Sequence, residues 1–304
     1  MPSLWMYDFH HFWLGAQAIL HGLSPYTTFD FIGPYPLALL FVPLGLFPMP
    51  VAYGIFIVIN LFLLWKVCHW KGLWALFSFP VAFGLFTGQI DLFLALLIPL
   101  GAPWTLPLVM VKPQLAWLVL PWFLTKLDRK GWIKAFGVGI AFLILSFLVN
   151  PAWVSEWLAA QPGITFYSRH ASSLYWLIPA SRMDIRVVIT IIFSIVAFIA
   201  GFSMKTRRGS WVFLQLFQPL TNIYSASVLA EWIGPLEFLL SWLVVFASGG
   251  DVHNGMPLFV IALSILFRIH ILPRILPDRL RGKLLFSLLL EQTPPNKKQG
   301  SPVS

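Results

Sequence analysis

Polar residues are sparse in this chain and fall in short groups between long apolar runs, and that spacing lays out its elements. In residues 8–21, Phe9, Phe12, Trp13, Ala16, Ile19 and Leu20 follow helical spacing before Gly22, which predicts a short helix lying along a membrane surface. Residues 23–36 read as turns, and residues 37–48 as a short apolar element between Pro36 and Pro48. A first span is predicted over residues 51–67. It ends at Lys66, His69 and Lys71, a basic group that marks a cytoplasmic end and leaves Asp8 on the outer face. Residues 73–87 then lead outward to Thr87-Gly88-Gln89, and residues 92–100 lead back.

Residues 104–125 raise a question of parity. As one span they would put the basic loop from Lys126 to Lys130 outside, against the positive-inside rule. Two half-length helices meeting at Lys112-Pro113-Gln114 remove the conflict and place that apex outward. Helices of about nine to twelve residues reach only about half of a bilayer core, so they imply surrounding protein or an outward cavity. Residues 132–149 cross outward again. Residues 150–184 form the longest polar loop, with a surface helix over 153–158 and with Arg169, His170, Arg182 and Asp184. Residues 185–203 descend to the basic group ending at Arg208. Residues 210–248 break into three pieces around a polar apex from Gln218 to Tyr224, and residues 257–272 end in an inner tail that carries Arg268, Arg274, Arg279, Arg281 and Lys283.

The pattern predicts an all-α polytopic membrane protein with about eleven membrane segments, several of them short. One transmembrane domain is expected over residues 1–284, with outer surface helices within 8–48 and 150–184, and a disordered cytoplasmic tail over 285–304. Composition agrees: 59% of the 304 residues are hydrophobic and 10% are charged, against about 25% charged in an ordinary soluble domain. The net charge of +9 lies in short loops and the tail, where it encodes orientation, and does not point to nucleic acid. A single cysteine, Cys68, excludes an internal disulfide. The motifs of soluble nucleotide-binding, serine-hydrolase and zinc-protease sites are missing.

Under this topology Asp8, His10, His11, Tyr26, Asp30, Tyr35, Gln89, Asp91, Lys112, Gln114, Arg169, His170, Arg182, Asn222 and Tyr224 share the outer face. Ionisable groups close to lipid are costly and are candidates for function. Each also has a plainer reading: Asp30 as a turn former, the histidines as interfacial residues, Lys112 as a helix-end anchor, and the loop arginines as solvated charge. His10-His11 lacks the further ligands of a metal site, so no bound metal and no cofactor are proposed.

Several short motifs follow one another in a telling order: Asp8-Phe9; Ala16–Leu20 followed by Gly22-Leu-Ser-Pro25-Tyr26; Tyr35-Pro36-Leu37; Pro43-Leu44; Asn60; Gly88-Gln89-Ile-Asp91; and Lys112-Pro113-Gln114. Together they resemble the GT-C superfamily of polyprenyl-phosphate-sugar-dependent glycosyltransferases, and within it glycosyltransferase family 87, the alpha-1,2-mannosyltransferase-like group. The resemblance runs from Asp8 to about Leu120 and returns more weakly near residue 218. It implies a GT-C-like helical bundle in a bacterial cell membrane, with the active site on the non-cytoplasmic side. It also implies a polyprenyl-phosphate-sugar donor, a lipid or glycan acceptor, mannose as the family default, and Asp8 as catalytic base. Lys112, Arg169, His170 and Arg182 are the expected holders of the donor phosphate. His11, Tyr26, Tyr35, Gln89, Asp91, Gln114, Asn222 and Tyr224 are the expected substrate contacts. Three departures stand out. Family members carry a membrane helix ahead of the Asp-Phe pair, whereas seven residues precede it here; Leu37 stands where a second Pro is common; and Pro219 to Ser225 lacks the family's later Trp-His or Tyr-Asp pattern.

The chemistry asks for few groups. A base takes the proton of the acceptor hydroxyl, and a phosphate leaves as a stable anion that needs positive charge or hydrogen-bond donors. Direct displacement inverts the anomeric centre. Two alternatives remain open at the level of sequence: a transporter or flippase for a lipid-linked sugar, and a noncatalytic membrane partner of another enzyme. Oligomeric state is not encoded in any visible motif.

Overall fold

In the computed structural model the described residues are 5–28, 31–112, 115, 120–161, 183–203, 212–217, 225–247, 249 and 256–275. Among them every regular element is helical. The first half comprises α1 (Tyr7–Leu20), α2 (Pro25–Thr28), α3 (Tyr35–Gly45), α4 (Met49–Cys68), α5 (Gly72–Phe77), α6 (Phe79–Thr87), α7 (Asp91–Leu100) and α8 (Thr105–Val109). Later helices span Leu120–Lys126, Arg129–Val149, Trp153–Ala159, Met183–Ser203, Pro235–Ala247 and Met256–Leu266, with a 3-10 segment over Ser225–Trp232.

Two helical stretches are long and apolar enough to cross a membrane, Met49–Phe77 and Arg129–Val149, and α6 with α7 forms a bent pair that would make a third. On Arg129–Val149, Ile133, Phe136, Ile140, Leu143, Ile144 and Leu148 are exposed, as expected of a helix whose solvent is lipid. By contrast α7 is apolar past Asp91 and buried along most of its length. Leu92, Leu94, Leu96 and Leu97 each lie within the core, packed by α4, α8 and the 3-10 segment. The core therefore centres on a helix too short to cross a bilayer alone.

Prolines set several boundaries. Pro36 sits in the first turn of α3, where its missing N–H costs nothing, so α3 starts at Tyr35, earlier than the apolar pattern predicts. Within the segment expected to be turns, Pro25–Thr28 closes one helical turn. The outward run expected over 73–87 is broken at Ser78, which is extended ahead of Pro80. The break is held from outside: Phe79 N donates to Ser241 Oγ (3.0 Å) and Trp242 Nε1 donates to Phe77 O (3.0 Å). At His69 the backbone takes a positive φ of 51°, and Gly72 beyond it lies against α4, where a Cβ would stand 3.2 Å from Leu64 Cγ.

The helix predicted for the membrane surface, α1, has its apolar face taken up by protein. Gly15, Ala16 and Ala18 are buried, and Gly45 of α3 comes close enough that a Cβ there would meet Ala16 Cβ at 3.1 Å. Gln17 Nε2 donates to Gly45 O, and Trp13 Nε1 donates to Phe47 O (3.1 Å). Phe12 stacks on Phe41 with centroids 4.9 Å apart.

Arg268 has a partner that the sequence reading did not foresee. Expected in a basic inner tail, it is buried on a π-helical turn over Phe267–Ile271 and pairs with Glu237 (3.2 Å). The apex 218–224, residues 250–255 and the tail 285–304 lie outside the described residues.

Candidate active site

Phe9 anchors the start of α1 in the bundle. It is fully buried, and its ring lies 5.3 Å from Tyr53, 5.4 Å from Phe56 and 6.0 Å from Phe41. Its backbone presses on the turn between α6 and α7. A Cβ on Gly88 would stand 2.3 Å from Phe9 Cβ, and Gly88 has φ +77°, so both space and backbone conformation call for glycine. The turn is a glycine-ended helix stop: Gly88 N donates to Leu85 O (3.1 Å) and Gln89 N to Gly84 O (2.7 Å). There the chain bends by 117° between α6 and α7. Met6 N donates to Phe86 O (3.0 Å), which ties the entry of α1 to the same turn.

This contact carries Asp8, in the first turn of α1, onto the polar residues of the bend. The side chains of Thr87 and Gln89 are the uncharged polar groups that act on the Asp8 carboxylate, while the Thr87 hydroxyl donates to Gly84 O (3.4 Å). Asp91, the first residue of α7, forms an ion pair with Lys112, and both charges act on Asp8. Burial pushes the Asp8 carboxyl above its ordinary value; Thr87, Gln89 and the charge of Lys112 pull it back, and Asp91 adds to the rise. Gln89 is buried, and its Oε1 has no hydrogen-bond partner, so its amide offers Asp8 a donor and keeps an acceptor in reserve.

The structure thus brings together four of the residues singled out in the sequence: Asp8, Gln89, Asp91 and Lys112. It adds Thr87, whose only signal in the sequence is its place beside Gly88 at an outward turn. His11 lies one turn further along α1, edge-on to Tyr7 with centroids 4.8 Å apart. The imidazole pKa of His10 is lowered by partial burial and by His11.

Tyr26 and Tyr35 belong to a second cluster, built around Glu156. Glu156 Oε2 accepts from Ser24 Oγ (2.6 Å) and Asn150 Nδ2 (2.7 Å), and Tyr26 OH donates to Gly33 O (3.1 Å). Trp157 Nε1 and Gln161 Nε2 both donate to Ile32 O, at 3.0 Å and 3.2 Å. Tyr35 is buried beside Trp153. Burial, then Tyr35 and Glu156, push the Tyr26 phenol well above its ordinary range, so it stays a hydrogen-bond donor. Asp30, Gln114, Arg169, His170, Arg182, Asn222 and Tyr224 lie outside the described residues. Sequence reasoning also passed over Gln215, which is fully buried with neither amide atom partnered.

Compared with protein-family models, residues 31–215 match the one described as Glycosyltransferase family 87. The matched stretch contains Gln89, Asp91 and Lys112 and begins after Asp8. No curated protein and no solved structure matches the chain.

Proposed function

The chain belongs to glycosyltransferase family 87, and from that premise we propose that it moves a hexose from a polyprenyl-phosphate donor to a lipid or glycan acceptor on the non-cytoplasmic face of the membrane, with Asp8 as base. The protein is a membrane glycosyltransferase; donor, sugar, acceptor and sidedness are the proposed parts. One observation carries the assignment of the site: a partly buried carboxylate, Asp8, set beside Thr87 and Gln89 within the field of Asp91 and Lys112.

In this mechanism the acceptor hydroxyl gives its proton to Asp8 as its oxygen attacks the anomeric carbon. The bond from that carbon to the phosphate oxygen breaks, and polyprenyl phosphate leaves with the electron pair. One bond forms, one breaks, and the configuration inverts. Asp91 holds Lys112 beside the site, where its charge meets the anion that leaves. Gln89 Oε1 accepts from a substrate hydroxyl. Arg169, His170 and Arg182 remain proposed phosphate contacts, and His11, Tyr26, Tyr35, Gln114, Asn222 and Tyr224 proposed substrate contacts. Mannose is the sugar to try first.

The test is transfer of radiolabelled sugar by purified protein in nanodiscs, for wild type and Asp8→Asn. New labelled product from wild type alone supports the reading. Equal transfer by a folded Asp8→Asn variant removes Asp8 as base. Movement of intact donor between leaflets, with no product, replaces the transferase with a lipid-linked sugar transporter.

A further inference from the structure

We propose that Tyr53, a residue of the first span, is a positioning residue of this site, fixing the turn that sets Thr87 and Gln89 beside Asp8; the inference rests on the transferase reading above. A helix leaves its last carbonyls without partners inside the helix. At the end of α6 the glycine-ended stop satisfies Gly84 O and Leu85 O, through Gln89 N and Gly88 N. Tyr53 adds a partner from a different helix: its hydroxyl lies 2.6 Å from Leu85 O and 3.2 Å from Phe86 O. Phe86 O also accepts from Met6 N, so one carbonyl joins α4, α6 and the entry of α1. The Tyr53 ring is edge-on to Phe9 (5.3 Å) and to Trp5 (6.2 Å), on either side of Asp8 in sequence.

The next residue after this carbonyl is Thr87, and Gln89 follows Gly88. A hydroxyl that pins residues 85 and 86 therefore sets where these two polar groups stand beside Asp8. Loss of the hydroxyl leaves the ring packing in place and frees the turn to drift. Among the described residues, the charged groups acting on Asp8 are Asp91 and Lys112, with the titratable His10 and His11 along its own helix; Tyr53 adds no charge and acts only through the turn.

The experiment compares Tyr53→Phe with wild type in the full chain, in nanodiscs, by transfer kinetics across pH. A drop in kcat of about three- to tenfold is expected, with the donor KM within about twofold. Moving Thr87 and Gln89 away from the Asp8 carboxylate raises its pKa, so the acid limb of the rate profile moves to higher pH. A lowered Tm with kcat and acid limb unchanged would overturn the proposal, because the hydroxyl would then serve stability alone. Asp8→Asn is run beside it. If Asp8→Asn is inactive and Tyr53→Phe matches wild type, only this inference fails; if Asp8→Asn is fully active, the reading of the site fails first.

Discussion

Among the described residues, the groups of charge at Asp8 and at Glu237 are finished to different degrees. The Glu237–Arg268 pair is closed. Glu237 Oε1 accepts from Arg268 Nε (3.2 Å) and Ser264 Oγ (2.9 Å), and its Oε2 accepts from Gly234 N (2.9 Å). Arg268 Nη2 donates to Trp232 O (2.6 Å). The group at Asp8 is open: burial pushes its carboxyl upward, and the neighbouring Gln89 Oε1 has no partner. A buried polar group without a partner costs free energy, and a ligand that supplies the partner recovers it. The closed pair binds the 3-10 segment to two helices, whereas the open group has capacity left for a substrate.

The comparison breaks most sharply at Asp8. Asp8→Asn is expected to lower kcat by about 10²- to 10⁴-fold, the usual weight of a general base. Its Tm should not fall. Glu237→Leu should do the reverse, costing about 3–5 kcal/mol of stability because Arg268 stays buried without its partner. Thermal unfolding in detergent measures the loss, and Glu237→Leu combined with Arg268→Met should recover much of it. Transfer per folded molecule should hardly change in either variant; a specific loss of kcat would make the closed pair part of the site.

Gly88→Ala sharpens the boundary between packing and chemistry. The new Cβ would meet Phe9 at 2.3 Å on a residue with φ +77°. A cost of about 1–3 kcal/mol is expected from strain and overpacking. Activity should fall by more than stability does, because the clash moves α1 away from Thr87 and Gln89. Lys112→Ala should raise the donor KM by about tenfold, the weight of one charged hydrogen bond, with Lys112→Arg restoring part of it. An unchanged donor dependence removes Lys112 from phosphate binding.

The smallest effect is in the pH dependence of stability. Asp8 has a raised pKa in the fold, so between its unfolded and folded values the native state binds more protons than the unfolded state. Stability then falls as pH rises through that window, and the cost is complete above the folded value. Asp8→Asn removes it. The variant should have a slightly higher Tm than wild type at neutral pH, and the difference should vanish in acid. A difference that grows in acid would contradict the raised pKa.

Much of the candidate site was legible in the sequence, from scarce charge and from the order of the short motifs. Lipid excludes charge, so Asp8, Asp91 and Lys112 stand out in a chain with 10% charged residues. Thr87 and Tyr53 did not stand out, because neither is charged and each works through a contact with a distant segment. Glu237 and Arg268 are 31 residues apart, and the rule that assigns basic residues to the inner side takes no account of partners.

The sequence by itself determined the all-α membrane class, the main helices and the family, since apolar runs and short motifs are local. It also placed Gly88 at the end of a helix. Only the tertiary structure decided that Asp8 meets Thr87, Gln89, Asp91 and Lys112. That meeting depends on a 117° bend and on Phe9, near the start of the chain, seating against Gly88, and no local propensity specifies a contact of that range.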